Sequence, residues 1–311
     1  MAPTMLTSKD TQCVTGWAAH DPSGKITPYT FKRRENGVSD VTIKILYCGM
    51  CRTDVHFAKN DWGDTIYPLV PGYEITGIIE KVGSKVSNFK KEDRVGVGYV
   101  IHMPDNLPLD RAAPLLGAGI TVYTPMKDSH LFETAGKRIG VVGLGGLGHM
   151  AIKFGKAYGH HVTVLSTSPS KEKDAKEQLG ADDFVVTSNE DEMKMRKRSL
   201  DFIVDTVSTK HSLGPYLELL KVNGILAMVG APSKPLDFPI LPLIYGKRTV
   251  KGSIIGSIKE IQEMMDFCGK HYILSDIEIV STDRINEAFE RLEKNDVKFR
   301  FVLDIAGKSQ N

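Results

Sequence analysis

An α/β fold, with a doubly wound parallel sheet joined to a smaller β-rich unit, is predicted by three features of the sequence. From about Pro114 onward, short apolar strands alternate with helical stretches. One of those strands runs straight into the glycine pattern Gly143-x-Gly145-x-x-Gly148, which opens a helix. The residues before Pro114 read as β, with glycines at turns and only short helical stretches, and suggest a compact β-barrel-like unit. At 311 residues the chain is also long for one core, which favours two domains.

Each element follows from its residues. "DVTIKILYCGM" and "EITGIIEKVGSKV" alternate β-branched and polar positions, and "EDRVGVGYVIHM" reads as a further single strand. "AAPLLGAGITVYTPMKD" has helical spacing. "KRIGVVG" is then a strand, "GLGHMAIKFGKAYG" a helix closed by Gly159, and "HVTVLST" a strand. "SKEKDAKEQLG" is a helix closed by Gly180, followed by the strands "DFVVT" and "LDFIVDTV". A helix at "LGPYLELLKVNG" leads into "ILAMVG" and "TVKGSII", and the tail returns to helix, strand, helix, strand. Strands separated by helices at this spacing specify parallel pairing through crossovers.

Composition narrows the function. A hydrophobic fraction of 41% and a charged fraction of 25% are those of an ordinary globular protein. The net charge is +2, with 40 basic and 38 acidic residues evenly mixed. Nucleic acid and an anionic membrane are therefore not expected partners. Four cysteines do not make a disulfide framework in a chain of this length, so a reducing compartment is expected. No apolar run reaches the roughly 18 residues of a membrane span, and "MAPTMLTSKDTQCVTGW" has no apolar leader core. A soluble cytoplasmic protein is the expectation.

The glycine pattern points to a dinucleotide. Strand, glycines, helix and second strand fall within one βαβ unit. Gly143 makes the tight turn, Gly145 lets the backbone approach a pyrophosphate, and Gly148 permits close helix–strand packing. The loop Gly143, Leu144, Gly145, Gly146, Leu147 and Gly148 then presents N–H groups to the phosphates. At the end of the second strand an NAD site carries an acid for the ribose 2′-OH. Here Ser166, Thr167 and Ser168 stand there with Lys171 just beyond, hydroxyls and an ammonium that suit a 2′-phosphate. The same residues also suit a loop that caps the next helix at Ser170. NADP(H) is the predicted cofactor.

Five stretches, "GMCRTDVHFAKNDWG", "YPLVPGYEITGIIEKVGSKVSNFK", "DNLPLDRAAPLLGAGITVY", "VVGLGGLGH" and "DVKFRFVLDI", carry a resemblance. The chain resembles the plant cinnamyl-alcohol-dehydrogenase-like branch of the medium-chain dehydrogenases, from Cys13 to Gly307. The resemblance implies a GroES-like catalytic domain from residues 1–117 and 259–311, and a Rossmann domain from residues 118–258. It implies NADP(H)-dependent interconversion of an alcohol and an aldehyde, or reduction of an iminium or conjugated substrate. It also implies a homodimer through the edges of the Rossmann sheets. Position by position, Thr53 and His56 match the family's proton relay, and Cys51 matches a catalytic-zinc cysteine with Glu74 as the acid beside the metal. Arg52 matches a pyrophosphate contact, Thr121 a neighbour of the nicotinamide, and Val229, Gly230 and Ala231 the backbone facing its carboxamide. Arg300 matches a cofactor contact from the C-terminal strand.

Two departures matter more than these matches. Where the family has the zinc histidine in "PGHE" this sequence has Tyr73, and where it has the second cysteine in "LLCAGIT" it has Gly117. One thiolate and one carboxylate are poor provision for tight Zn²⁺. Zinc at Cys51 and Glu74 is therefore not expected. Second, "DRVGVG" runs directly into "YVIHMPDNLP", omitting the cysteine-bearing segment in which the family holds a structural zinc. Cys48 has no ligand role in the family and reads as a buried small residue.

Three readings follow. The first is a zinc-independent NADPH reductase in which Tyr73 O–H donates to developing negative charge, against the plainer view of Tyr73 as an ordinary strand aromatic. The second is a catalytically inactive NADP-binding relic. The third is an incomplete form of a zinc-dependent dehydrogenase, which the clean junction after Gly98 suggests but Tyr73 and Gly117 do not explain. Trp62 reads equally as pocket wall or packing, Met264 and Met265 as core, and His160-His161 as a solvated turn.

Overall fold

The computed structural model describes residues 11–232 and 234–307. The chain opens with β1 (Thr11–Ala19), β2 (Ile26–Arg34), β3 (Val41–Met50), α1 (Arg52–Lys59), β4 (Glu74–Val82), β5 (Arg94–Val97) and β6 (Ile101–His102). Next come α2 (Leu109–Ala112), α3 (Ala118–Lys127), β7 (Arg138–Val142), α4 (Gly148–Ala157), β8 (His161–Ser166), β9 (Asp183–Val186) and α5 (Glu190–Met195). It closes with β10 (Leu200–Asp205), α6 (Gly214–Leu219), β11 (Leu220–Met228), α7 (Ile240–Gly246), β12 (Thr249–Gly252), α8 (Ile258–His271), β13 (Ile277–Ser281), α9 (Ile285–Glu293) and β14 (Arg300–Asp304).

Two compact units result. The second spans Leu115–Asp276, and the first takes the chain up to Pro114 together with the chain from Ile277 onward. The chain thus rejoins the first unit at Ile277, not at residue 259, because α8 belongs with the second unit. Its Met264 and Met265 are fully buried there, as their helical spacing predicts.

In the first unit, β1 and β2 form an antiparallel hairpin, and a six-stranded sheet runs in the order β13-β14-β3-β4-β5-β6. Strand β3 therefore lies between β4 and the C-terminal β14, an arrangement that sets the ends of those two strands close together. The stretch "EDRVGVGYVIHM" is a hairpin rather than one strand. Gly98, Tyr99 and Val100 turn the chain, and Val95 and Gly96 pair back on His102 and Ile101. The junction at which the family's inserted segment is missing is thus closed by antiparallel pairing. This edge of the sheet ends in a two-residue strand, with little unpaired backbone left open.

The second unit is the doubly wound sheet, all parallel, in the order β12-β11-β10-β7-β8-β9. Val141, Val162, Val164 and Ile203 have no exposure, as expected for parallel strands covered on both faces. Helix α4 lays Met150, Ala151, Ile152 and Phe154 into this core. The stretch "SKEKDAKEQLG" is wound as a 3-10 turn at Pro169–Lys171 and a π-helical turn at Asp174–Gln178 before Gly180 ends it. The doublet His160-His161 is not solvated as a pair. His160 is buried and donates Nε2–H to the carbonyl of Leu131 at 2.8 Å, the polar partner that burial of an imidazole requires. Burial holds its pKa below the ordinary histidine value.

Candidate active site

The first unit gathers Cys51, Tyr73, Glu74 and Arg300 at the end of β3, the start of β4 and the start of β14. Cys51, 5% exposed, immediately precedes α1. Its Sγ lies 2.7 Å from the hydroxyl of Tyr73, and the nearby Thr53 side chain favours its thiolate, the last of several influences on it. Burial, then the nearby Asp54 carboxylate, pushes the Cys51 thiol up to about 12, so the sulfur is a neutral thiol rather than a thiolate. Tyr73 as a whole is 36% exposed, but its hydroxyl end is enclosed beside Cys51, and burial there raises its pKa, with Cys51 and Glu74 acting in the same direction. The site therefore presents two neutral donors side by side.

Glu74 is 1% exposed and forms an ion pair with the guanidinium of Arg300, itself 5% exposed. Burial opposes the Arg300 charge, and Glu74 together with the Cys51 and Tyr73 side chains outweighs it, so the Arg300 pKa lies above its ordinary value. Asp54 is the site residue that sequence reasoning missed. Its Oδ2 accepts Cys51 N–H at 2.8 Å and its Oδ1 accepts Gly72 N–H at 3.0 Å, so one carboxylate joins the loop before α1 to the loop before β4. Burial raises its pKa despite those two bonds. The available signal was its place three residues after Cys51, where a capping-box acid reaches back to the helix start.

The proton-relay candidates do not bond to each other. Thr53 turns to Cys51, while His56 Nδ1 lies 2.6 Å from Asp61 Oδ2 and the imidazole rests against Trp62 at 5.1 Å. Two residues expected at the cofactor are also engaged elsewhere. Arg52 donates to the carbonyls of Leu292 and Glu293 and to Asn295 Oδ1, at 3.2–3.3 Å, at the end of α9. Arg300 is held by Glu74.

In the second unit the glycine loop and the turn after β8 come together. The loop from Gly143 to Leu147 links β7 to α4, and a Cβ on Gly148 would fall 2.1 Å from Gly143 O, which only glycine avoids. A Cβ on Gly145 would meet nothing within 4 Å, so this backbone faces open space, as close approach of a pyrophosphate requires. Lys171 Nζ donates to Leu144 O at 2.8 Å, joining the turn after β8 to the glycine loop. Ser166 Oγ accepts Ser168 N–H at 3.2 Å, and Thr167 is exposed beside them. Val229 and Gly230 follow β11, which is separated from β7 and its glycine loop by β10, and Ala231 is exposed. Thr121 is the one partly exposed residue between Ala118 and Met126 of α3. These residues fit a nicotinamide dinucleotide.

Catalytic zinc does not fit. The Cys51 sulfur is engaged by the Tyr73 hydroxyl, the Glu74 carboxylate by a buried cation, and a guanidinium this close opposes a second cation. Among the described residues no group of three His, Cys, Asp or Glu side chains is placed to hold a metal ion. Gly117 offers no donor; it caps α3.

With this geometry in hand, the relatives are informative. Residues 37–123 match the alcohol dehydrogenase GroES-like domain and residues 146–270 the zinc-binding dehydrogenase. The chain is 55% identical to a probable cinnamyl alcohol dehydrogenase 6 of Oryza sativa subsp. japonica, over 98% of this chain and 99% of that protein. That alignment runs over 357 residues against the 311 of this chain, so the rice protein carries a segment with no counterpart here. A probable mannitol dehydrogenase of Medicago sativa is 50% identical over 94% of each chain. Among solved structures, a cinnamyl alcohol dehydrogenase from Sorghum bicolor superposes with a TM-score of 0.93 at 44% identity, covering 95% of this chain and 98% of that one. A cinnamyl alcohol dehydrogenase from Helicobacter pylori, complexed with NADP(H), gives 0.89 at 35% identity, covering 96% and 99%.

Asp54→Ala should lower the unfolding free energy by about 3 kcal/mol in a urea titration, because two buried N–H groups lose their acceptor. Asp54→Asn keeps one acceptor oxygen and should cost about half as much. Equal, near-zero effects for both would show that Asp54 does not hold these loops.

Proposed function

This chain belongs to the plant cinnamyl-alcohol-dehydrogenase-like branch of the medium-chain alcohol dehydrogenases, and we propose that it is an NADP(H)-dependent reductase working without a catalytic zinc. It is an alcohol-dehydrogenase-like oxidoreductase by descent. The substrate class is a small aldehyde or alcohol, a conjugated carbonyl, or an iminium. The observation that carries the zinc-free reading is the neutral Tyr73–Cys51 pair beside the closed Glu74–Arg300 ion pair. The preference for NADP(H) is supported by Lys171 and the Ser166–Ser168 hydroxyls, which stand where an acid would repel a 2′-phosphate.

When bound, NADPH supplies a hydride. The chain's own part is proton and charge management at the substrate heteroatom. The Tyr73 hydroxyl, kept protonated by burial, donates to a carbonyl oxygen as negative charge builds on it. Thr53 is a second hydroxyl beside the same sulfur. Cys51, a neutral thiol, holds the Tyr73 hydroxyl in place rather than attacking the substrate. An iminium carbon is already electrophilic and would need only positioning.

Tyr73→Phe should reduce turnover roughly a hundredfold, the effect of losing one donor to a developing oxyanion. The NADPH dissociation constant should be unchanged. Both are read by fluorescence titration and by steady-state assay over a panel of aldehydes, enals and iminiums. NADPH binding without turnover of any of these would favour an inactive binding relic. Failure to bind NADPH would sink the reading.

A homodimer is part of the same proposal. Strand β12 ends the Rossmann sheet, and beside it α7 leaves Ile244 and Tyr245 60% and 78% exposed, with Ile240 and Leu241 also in solvent. An unpaired edge flanked by apolar side chains is a surface that folded proteins cover. No helix among the described residues is long and apolar enough to cross a membrane, and the four cysteines are free, which suits the reducing cytoplasm. Light scattering on the native chain should give twice the 34.3 kDa chain mass. Ile244→Glu with Tyr245→Glu should give a monomer, and a monomeric native chain would refute the assembly.

A further inference from the structure

The imidazole of His211 has an acceptor at each ring nitrogen. Nε2 lies 2.7 Å from Asp205 Oδ2, and Nδ1 lies 2.8 Å from the carbonyl oxygen of Thr209. An ionised carboxylate and a carbonyl can only accept, so against the Asp205 carboxylate both contacts are hydrogen bonds only when both nitrogens carry hydrogen. That species is the imidazolium. The ring is 15% exposed and the Asp205 side chain fully buried, so the pair is shielded from competing water.

Asp205 is the last residue of β10, level with Val142 of β7 on one side and Met228 of β11 on the other. Its Oδ1 accepts Val207 N–H at 3.0 Å, and its main-chain oxygen accepts both Val229 and Gly230 N–H at 3.0 Å. Next in the chain, Thr206 Oγ1 donates to Val142 O at 2.7 Å, at the threshold of the glycine loop. A Cβ on Gly230 would fall 2.2 Å from Val207 O, so the two turns are in close contact. The segment from Asp205 to His211 is thus wedged between the glycine loop and the turn at Val229–Ala231. His211 closes that segment by reaching back to its first residue.

We propose that His211, as the imidazolium, is a positioning residue for dinucleotide binding: it holds the 205–211 segment in the shape that seats the two nucleotide loops, and NADP(H) affinity falls when it loses its proton. The inference rests on the NADP(H) reading of those loops. Its sign follows from the pair. The Asp205 hydrogen bond, opposed by burial and helped by the Thr209 carbonyl, holds the His211 pKa above its ordinary value of 6.5. The stabilisation is therefore complete below that ordinary value and is lost as pH rises through the raised one. The other polar groups nearby are Tyr216 of α6, edge-on to the ring at 6.0 Å, and the Lys210–Asp237 pair at 4.0 Å. Neither replaces a donor or acceptor of the imidazolium.

The test is the NADPH dissociation constant of the intact chain from about pH 7 to about pH 9, above the second ionisation of a phosphate monoester. The native chain should bind roughly five- to tenfold more weakly at the top of the range, the loss of one charge-assisted hydrogen bond. His211→Gln should sit at the weak level throughout, with a flat profile. Amide exchange at Val207, Val229 and Gly230 in the native chain, corrected for intrinsic rates, should accelerate with the same midpoint, a readout that does not depend on the variant folding. Tight binding that does not change with pH, or a slope that His211→Gln retains, would overturn this role and leave the NADP(H) reading standing. A native chain that binds no NADPH at any pH would overturn both.

Discussion

The buried ion pair between Glu74 and Arg300 is the constraint on which the first unit's chemistry depends. Its partners are 226 residues apart, on β4 and β14, and meet because β3 pairs with both strands. Each charge is almost wholly removed from water, so each is tolerable only because of the other. Removing one partner of such a pair costs about 3–5 kcal/mol. The C-terminal strand is thereby tied to the unit begun by the N-terminal half of the chain. The same pair occupies the carboxylate with which the family places an acid beside its metal. With Glu74 paired to Arg300 and the Cys51 sulfur against the Tyr73 hydroxyl, both side chains expected beside a metal are already engaged.

The second unit carries the whole glycine pattern, Gly143, Gly145 and Gly148. Its glycine loop, the Lys171 contact and the turn at Val229–Ala231 are all supported by bonds within the unit. Dinucleotide binding and substrate chemistry depend on different local geometries, so one can persist while the other is rebuilt. The missing segment fits the same view. The hairpin at β5 and β6 closes the junction with paired backbone, leaving the sheet with a short edge rather than a long open one.

How much of this was legible in the sequence depends on how local each feature is. The glycine loop was legible because strand, turn and helix are contiguous and each glycine answers to a steric demand within a few residues. The departures at Tyr73 and Gly117 were legible because a metal site needs particular donor types. The Glu74–Arg300 pair was not, since nothing local couples positions so far apart, and resemblance sent Arg300 to the cofactor. Arg52 went the same way, although its guanidinium is taken up by the carbonyls ending α9. The turn at Gly98–Val100 was hidden in "VGVGYVIHM", where β-propensity runs unbroken on either side. The partners of His160 and His211 are set by backbone oxygens and a strand end, which a list of residue types does not reveal.

The most direct measurement is the zinc content of the folded chain after equilibration with excess Zn²⁺ and removal of loosely bound ions. Far less than one zinc per chain is expected, because the two remaining donors are already engaged and the Arg300 guanidinium paired with Glu74 repels a further cation. One tightly held zinc per chain, lost on Cys51→Ser, would contradict it. The Glu74–Arg300 pair would then have to open to admit the metal.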